Sequence, residues 1–126
     1  MPVQVTKEEF EEIVEKALVG LPDEYAAFLE EVPVEVHMRP SRKLLRELGM
    51  EEDQLLMGLY RGHPMTERSV EDPTRMPDVI YIFQEDHELV CRSREQLMTE
   101  VRKTVLHEIG HHFGLTEADL DRLGDG

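Results

Sequence analysis

The stretch VLHEIGHHFG at residues 105–114 contains the pattern His-Glu-x-x-His between positions 107 and 111. If this stretch is helical, His107 and His111 lie one turn apart on the same face, and their imidazoles can bind one Zn²⁺ ion. Glu108 then lies about 60° around the helix from His111, where its carboxylate can take a proton from a water on the metal. The pattern predicts a hydrolytic zinc centre with His107 and His111 as ligands and Glu108 as general base.

The same residues allow a simpler interpretation, in which two solvated histidines lie on a charged helix, because so short a pattern also arises by chance. The surrounding sequence favours the metal centre. A long helical segment precedes the pattern and begins at the capping box Ser93-x-x-Gln96. Gly114 then ends the helix, and a run of acidic residues follows it.

The histidines of this helix differ in their position relative to an apolar stripe along it. It consists of Leu97, Met98, Val101, Val105, Ile109 and Phe113. At about 100° per residue, His107 and His111 fall outside the stripe and can face a cleft. His112 falls within the stripe and is interpreted as a packed structural residue. Glu108 falls at the border, where partial desolvation suits a general base.

A catalytic zinc ion needs three protein ligands and one open position, so a third ligand is required. Few residues follow His111, which favours an acid close to the motif. Glu117 is the preferred candidate, with Asp119 and Asp121 as alternatives. Asp119 has a competing role, because Thr116-x-x-Asp119 forms a variant capping box for a last short helix.

The composition is typical of one globular domain spanning residues 1–126, with 40% hydrophobic and 33% charged residues. The formal net charge of -14 would repel duplex nucleic acid and anionic membranes, so neither is an expected partner. The single cysteine, Cys91, excludes an internal disulfide. We see no secretory leader pattern, and no apolar run approaches the ~20 residues of a membrane span. These features predict a cytoplasmic protein, with a monomer as the simplest expectation.

Hydrophobic periodicity and end signals predict an α+β fold. The predicted elements are helices at 6–20, 22–33, 41–49 and 93–113, and strands at 34–38, 55–60 and 78–83. The last strand is predicted to be an inner one, because it is almost continuously apolar. Residues 84–87 are predicted to form a turn, followed by a short helical piece through Val90.

Residues 61–77 show no periodicity and contain three prolines, so a long loop is predicted, and such loops are often functional. The loop carries three polar side chains that can line a cleft or lie on the surface: His63, Glu67 and Arg68. Two further histidines lie elsewhere. His37 falls on the polar side of a strand and is interpreted as a surface residue. Nothing in the sequence fixes the position of His87, so we do not expect it to be a metal ligand.

Residues 107–117 resemble the extended zincin signature HExxHxxGxx(D/H), whose third ligand is Asp in the Asp-zincins and His in the metzincins. Glu117 occupies that position here and departs from the signature while keeping a carboxylate. Further similarity to the small bacterial mini-zincins lies at Gly58–Tyr60, Thr66–Ser69, Pro77–Tyr81 and Val101–Glu108. The resemblance implies a minimal zincin fold, a small mixed sheet of about three strands packed on helices, with the motif on a long C-terminal helix. It also implies a cleft beside an edge strand.

The preferred functional interpretation is a zinc-dependent metallopeptidase of unknown substrate, in which the metal and Glu108 activate water. A metal-binding domain without catalysis and a plain interaction domain are the alternatives. Two histidines and a carboxylate can also bind Mn²⁺, Fe²⁺ or Co²⁺. No oxyanion-stabilising residue can be assigned from the sequence. The residues considered are Tyr60, His63, Arg68 and Tyr81.

Overall fold

The structure is a computed structural model that describes residues 2–62 and 78–113, with the backbone alone described at 111–113. The elements in chain order are α1 (Lys7–Val19), α2 (Asp23–Glu31), β1 (Val34–His37), α3 (Arg42–Glu47), β2 (Gly58–Arg61), β3 (Val79–Phe83), α4 (Gln84–Val90) and α5 (Arg94–Phe113). They confirm the predicted α+β class and the long helix that carries the His-Glu-x-x-His pattern. Within these residues, no helix combines the length and the apolar character needed to cross a membrane.

Strand β3 is the centre of a three-stranded mixed sheet with the strand order β1-β3-β2. β1 runs parallel to β3, and β2 runs antiparallel to it. Ile80 and Ile82 of β3 are fully buried, which confirms the inner position predicted from its apolar character. Among the described residues, β1 and β2 are therefore the two edge strands.

The hydrophobic core lies between the sheet and the two long helices, α1 and α5. The predicted apolar stripes supply it. The buried residues include Phe10, Ile13, Val14 and Ala17 of α1, and Leu97, Val101, Val105 and Ile109 of α5. Leu106 is also buried, so the buried face of α5 is wider than the predicted stripe. This face fixes the rotation of α5 and leaves His107 and Glu108 half-buried at its flank.

Helices α1 and α5 both begin at a residue whose side chain caps the helix, with one difference in detail. Thr6 and Glu9 form the complete capping box, each side chain accepting from the backbone N–H of the other at 3.0 Å. At the start of α5, Ser93 Oγ accepts from the Gln96 amide at 3.1 Å. The Gln96 side chain accepts from the amide of Arg92 at 2.7 Å, one residue before the cap. A cap of this kind contributes about 1 kcal/mol to helix stability.

The structure replaces the predicted turn at residues 84–87 with the beginning of helix α4. The buried residues of this helix are polar, so apolar periodicity in the sequence does not predict it. Gln84 Nε2 donates to the carbonyl of Val5, and the amide of Val5 donates to the Glu88 carboxylate at 2.8 Å. Helix α4 is therefore held by hydrogen bonds to the N-terminal segment as well as by apolar packing.

Strand β2 consists of residues 58–61, whereas the sequence predicts a strand at 55–60. The amide of Leu56 donates to the buried carboxylate of Asp86 at 2.7 Å. This bond ties the chain before Met57 to α4. Pairing with β3 begins only at Met57, whose carbonyl accepts from the amide of Phe83.

The contribution of the α5 face to stability is tested by Leu97→Ala, with Leu89→Ala as the matched control. Leu97 is 0% exposed and Leu89 is 59% exposed. Removing a buried leucine side chain loses transfer free energy and leaves a cavity, so Leu97→Ala should lower the free energy of unfolding by about 2–5 kcal/mol. Leu89→Ala should change it by less than about 0.5 kcal/mol. Urea titration followed by circular dichroism measures both, and equal losses would contradict the assignment of the core.

Candidate metal-binding and catalytic site

His107 lies half-buried on the flank of α5. Its Nδ1 is 2.8 Å from the carbonyl oxygen of Lys103, one turn earlier. Because a carbonyl oxygen only accepts, this contact assigns the proton of the neutral ring to Nδ1 and the lone pair to Nε2. Metal-binding imidazoles are commonly oriented in this way, with one nitrogen donating to a carbonyl and the other available to the metal.

Glu108 connects α5 to strand β2. Its Oε1 accepts a hydrogen bond of 2.7 Å from the backbone amide of Tyr60. Met57 is hydrogen-bonded to β3, and backbone groups alternate along an antiparallel strand, so the N–H of Tyr60 points away from β3. The carboxylate is therefore held at the outer edge of the sheet. Its partial burial confirms the border position predicted from the helical periodicity.

Gly58 allows β2 to approach α5 closely. A Cβ atom at this position would lie 2.5 Å from Cγ2 of Thr104 and 2.9 Å from the carbonyl oxygen of Tyr81. Both distances are shorter than side chains tolerate. Since Thr104 is one turn before Glu108 on α5, the absence of a side chain at Gly58 permits the strand to come within reach of the carboxylate.

Two of the residues considered as oxyanion-stabilising groups have other contacts. The Tyr60 hydroxyl donates to Oδ2 of Asp78 at 2.6 Å, and Asp78 is buried at the start of β3. The Tyr81 ring packs edge-on against His37 with ring centroids 4.9 Å apart. Tyr81 alternates with the buried Ile80 and Ile82, so it lies on the face of the sheet that is turned away from the core.

His87 is a buried residue of helix α4 with two hydrogen-bonding contacts. It is 0% exposed. Its Nδ1 lies 2.8 Å from the carbonyl of Phe83, and its Nε2 lies 2.9 Å from the hydroxyl of Thr104. In the neutral ring, Nδ1 donates to the carbonyl of Phe83, and the hydroxyl proton of Thr104 lies between two acceptors, Nε2 of His87 and the carbonyl oxygen of Glu100 at 2.9 Å. His37 is exposed and lies 3.2 Å from the Glu35 carboxylate, which confirms its expected surface position.

Several predicted site residues lie outside the described part of the chain. They are His63, Glu67, Arg68, Glu117, Asp119 and Asp121, together with the side chains of His111 and His112. Within residues 2–62 and 78–113, no three potential metal-binding side chains come together. The described part of the site therefore consists of His107, Glu108 and the elements that orient them.

The hydrogen bond from Tyr60 and the close approach at Gly58 are features that the sequence analysis missed. The sequence contains one signal for the approach, since glycine inside a strand often marks a neighbouring backbone or helix. The sequence contains no signal that identifies the Tyr60 amide as the one that bonds to Glu108. Which N–H of β2 faces α5 depends on the register between β2 and β3, which joins residues far apart in the chain.

Comparison with known proteins found a matching family and a solved structure of similar fold. A family model described as zincin-like metallopeptidase matches residues 29–126. Among solved structures, a conserved hypothetical protein from T. thermophilus is similar in fold, with a TM-score of 0.56 and 25% sequence identity. The similarity covers 86% of this chain and 94% of that chain. No curated protein matches the sequence.

The buried imidazole gives a prediction about pH. Burial lowers the pKa of His87 below its ordinary value, although the hydrogen bond to Phe83 and the charges of Glu100 and Asp86 oppose this shift. As the pH falls through about 6.5, the unfolded chain gains this proton before the folded chain does, so stability decreases. The decrease ends below the lower pKa of the folded chain. His87→Gln lacks this component, so the stability advantage of the wild type should shrink as the pH falls from about 8 to about 5.

Urea unfolding of the two chains in the presence of a metal chelator measures this difference. Subtracting the free energy of unfolding of His87→Gln from that of the wild type at each pH removes the contribution of the carboxylates that both chains share. A difference in free energy of unfolding that does not change with pH would contradict the prediction.

Proposed function

We propose that this chain, which belongs to the zincin-like metallopeptidase family, is a zinc-dependent peptidase with Glu108 as its general base. In this proposal, His107, His111 and Glu117 bind the metal. The fold and the family membership support the class of reaction. The proposal for the individual residues rests on the sequence motif and on the contacts of His107 and Glu108.

The observation that carries the proposal is the hydrogen bond of 2.7 Å between the Tyr60 amide and Glu108 Oε1. A general base must be held in one orientation to remove a proton efficiently. The amide holds one carboxylate oxygen from the side of the sheet, and the half-buried position reduces the competition from water. A solvated glutamate on a charged helix would need neither feature.

The donor set fits a zinc ion. His107 has its Nδ1 bonded to the Lys103 carbonyl, so Nε2 carries the lone pair that a ligand requires. The backbone of α5 continues through His111, which therefore lies one turn further along the same helix. Zn²⁺, when bound, lowers the pKa of a coordinated water and polarises a carbonyl oxygen. Glu108 can accept the proton from the attacking water and return it to the amine that leaves.

The position of β2 supports a peptide as the substrate. The N–H and C=O groups of Gly58 and the carbonyl of Tyr60 are oriented toward the outer edge of the sheet, the side on which the Tyr60 N–H bonds to Glu108. An extended peptide can add to such an edge through main-chain hydrogen bonds. A peptide bound along β2 would have its backbone next to the general base.

Glu108→Gln tests the role of the base separately from the binding of metal. Glutamine has nearly the same shape but takes no proton, so hydrolysis of a peptide library should fall by roughly 10²–10⁴-fold. Zinc content, measured by mass spectrometry of the purified protein, should stay at about one ion per chain. His107→Ala combined with His111→Ala should remove both the zinc and the hydrolysis.

Other outcomes assign the protein to another class. Zinc in the wild type without any peptide cleavage would indicate a metal-binding domain that lacks catalysis. An absence of metal in the wild type, even after zinc is added at neutral pH, would exclude the peptidase and leave an acidic interaction domain.

The third ligand is tested by neutralising the three candidate acids one at a time. Glu117→Gln should weaken zinc binding by more than about 100-fold, because even the hydrogen-bonding partners of ligands are worth about 10–100-fold. Asp119→Asn and Asp121→Asn should each change it by less than about tenfold. Competition with a chromogenic zinc chelator measures the three affinities. A larger loss for Asp119→Asn than for Glu117→Gln would reassign the ligand.

A further inference from the structure

Strand β1 forms the edge of the sheet opposite to β2. The amide of Ile80 donates to the carbonyl of Pro33, and Val34 stands opposite Ile80 in the parallel register. Backbone groups alternate along the strand, so Glu35 and His37 are the residues that pair with β3. The N–H and C=O groups of Val34 and Val36 therefore point away from the sheet, in the direction that a further strand would occupy.

A groove of about 550 Å³ runs along this edge, between β1 and helix α1. The residues of α1 that line it are Lys7, Glu11, Val14, Glu15 and Leu18. They recur about every three or four residues, so one face of α1 forms a wall along the groove. Val34 and Val36 line the same groove and are half-buried.

The charge of the groove is predominantly negative. Three carboxylates, those of Glu11, Glu15 and Glu35, line it together with the ammonium group of Lys7 and the imidazole of His37, which lies 3.2 Å from the Glu35 carboxylate. In the part of the chain that the structure describes, Glu11 and Glu15 are exposed and form no ion pair. Two uncompensated carboxylates one turn apart beside an edge strand specify the charge of an occupant.

We propose that this groove binds an extended, lysine- or arginine-rich segment of a partner protein, which adds to β1 as a further strand. The outward backbone groups of Val34 and Val36 supply the main-chain hydrogen bonds. Alternate side chains of the added strand point into the groove, where long cationic side chains reach Glu11 and Glu15. Their aliphatic stems lie against Val14 and Leu18, a common arrangement for lysine and arginine.

A second copy of the chain fits this edge poorly. Pairing two β1 strands would bring Glu35 and the acidic face of α1 toward the same groups of the other copy, and each chain carries a net charge of -14. A cationic segment is attracted by the same charges. The proposal does not depend on the proposed metal centre, whose described residues His107 and Glu108 lie beside the other edge strand, β2.

The test is a titration of the isotope-labelled chain, residues 1–126, with a short, capped peptide of alternating lysine and valine. At an ionic strength of ~0.01 M, the amide signals of Val34 and Val36 should shift, and the affinity should fall when the ionic strength is raised to ~0.15 M. A peptide of alternating glutamate and valine serves as the control ligand and should not bind. An absence of binding by the lysine peptide at low ionic strength would overturn the proposal.

Matched charge variants distinguish binding of the peptide in the groove from its general electrostatic attraction to the acidic chain. The Glu11→Gln, Glu15→Gln double variant should bind the lysine peptide about tenfold more weakly. The Glu8→Gln, Glu12→Gln variant removes the same charge from exposed positions of α1 that do not line the groove, and it should bind as the wild type does. Equal losses in both variants would overturn the proposal.

Val36→Pro tests the main-chain contribution. It removes an outward N–H and leaves the groups that pair with β3 in place, so it should weaken binding of the peptide while Glu108 and α5 keep their amide signals. Sedimentation of the wild type tests the other occupant. A concentration-dependent dimer that Val36→Pro abolishes would identify a second copy as the occupant and overturn the proposal.

Discussion

The rotation of helix α5 about its own axis is the constraint on which the candidate site depends. This helix of 20 residues supplies buried side chains to the core along one face and carries His107 and Glu108 on the adjoining flank. A rotation by one residue, about 100°, would bury the histidine and expose the core. Packing of Leu97, Val101 and Ile109 therefore orients the chemical groups as well as stabilising the fold. For this reason, a small domain can position the proposed base without a separate supporting layer.

The orientation of Glu108 also depends on the register and position of the edge strand β2 relative to α5. The amide of Tyr60 reaches the carboxylate only because β2 pairs with β3 through its odd-numbered residues and leaves the even-numbered ones pointing outward. A slip of one residue in this register would turn the Tyr60 amide toward β3 and away from the carboxylate. Gly58 then sets the separation, because any side chain there would meet Thr104.

The parts of this structure that follow a local rule could be predicted from the sequence. The capping box at Thr6, the apolar stripe of α5 and the continuous apolar run of β3 each depend on residues a few positions apart. Helix α4 could not be predicted in the same way. Its buried residues include Gln84, His87 and Glu88, whose partners lie in the N-terminal segment, in α5 and in its own first turn. A polar residue becomes a core residue only through such distant partners. In the candidate site, the motif predicts His107 and Glu108, whereas the amide that holds Glu108 depends on sheet register.

In the part of the chain that the structure describes, the sheet has one strand paired on both sides and two edge strands, and the neighbours of those edges differ in chemistry. Beside β2, the carboxylate of Glu108 is held by a backbone amide, an arrangement that orients the proposed reactive group. Beside β1 lies a groove with several exposed carboxylates and outward backbone groups, an arrangement that favours binding over reaction. An exposed edge strand invites unwanted pairing, and charged neighbours are a common protection against it. Acidic residues along α1 repel further copies of this acidic chain and attract cationic strands. The same charges therefore protect the edge from self-association and select the kind of partner that it can accept.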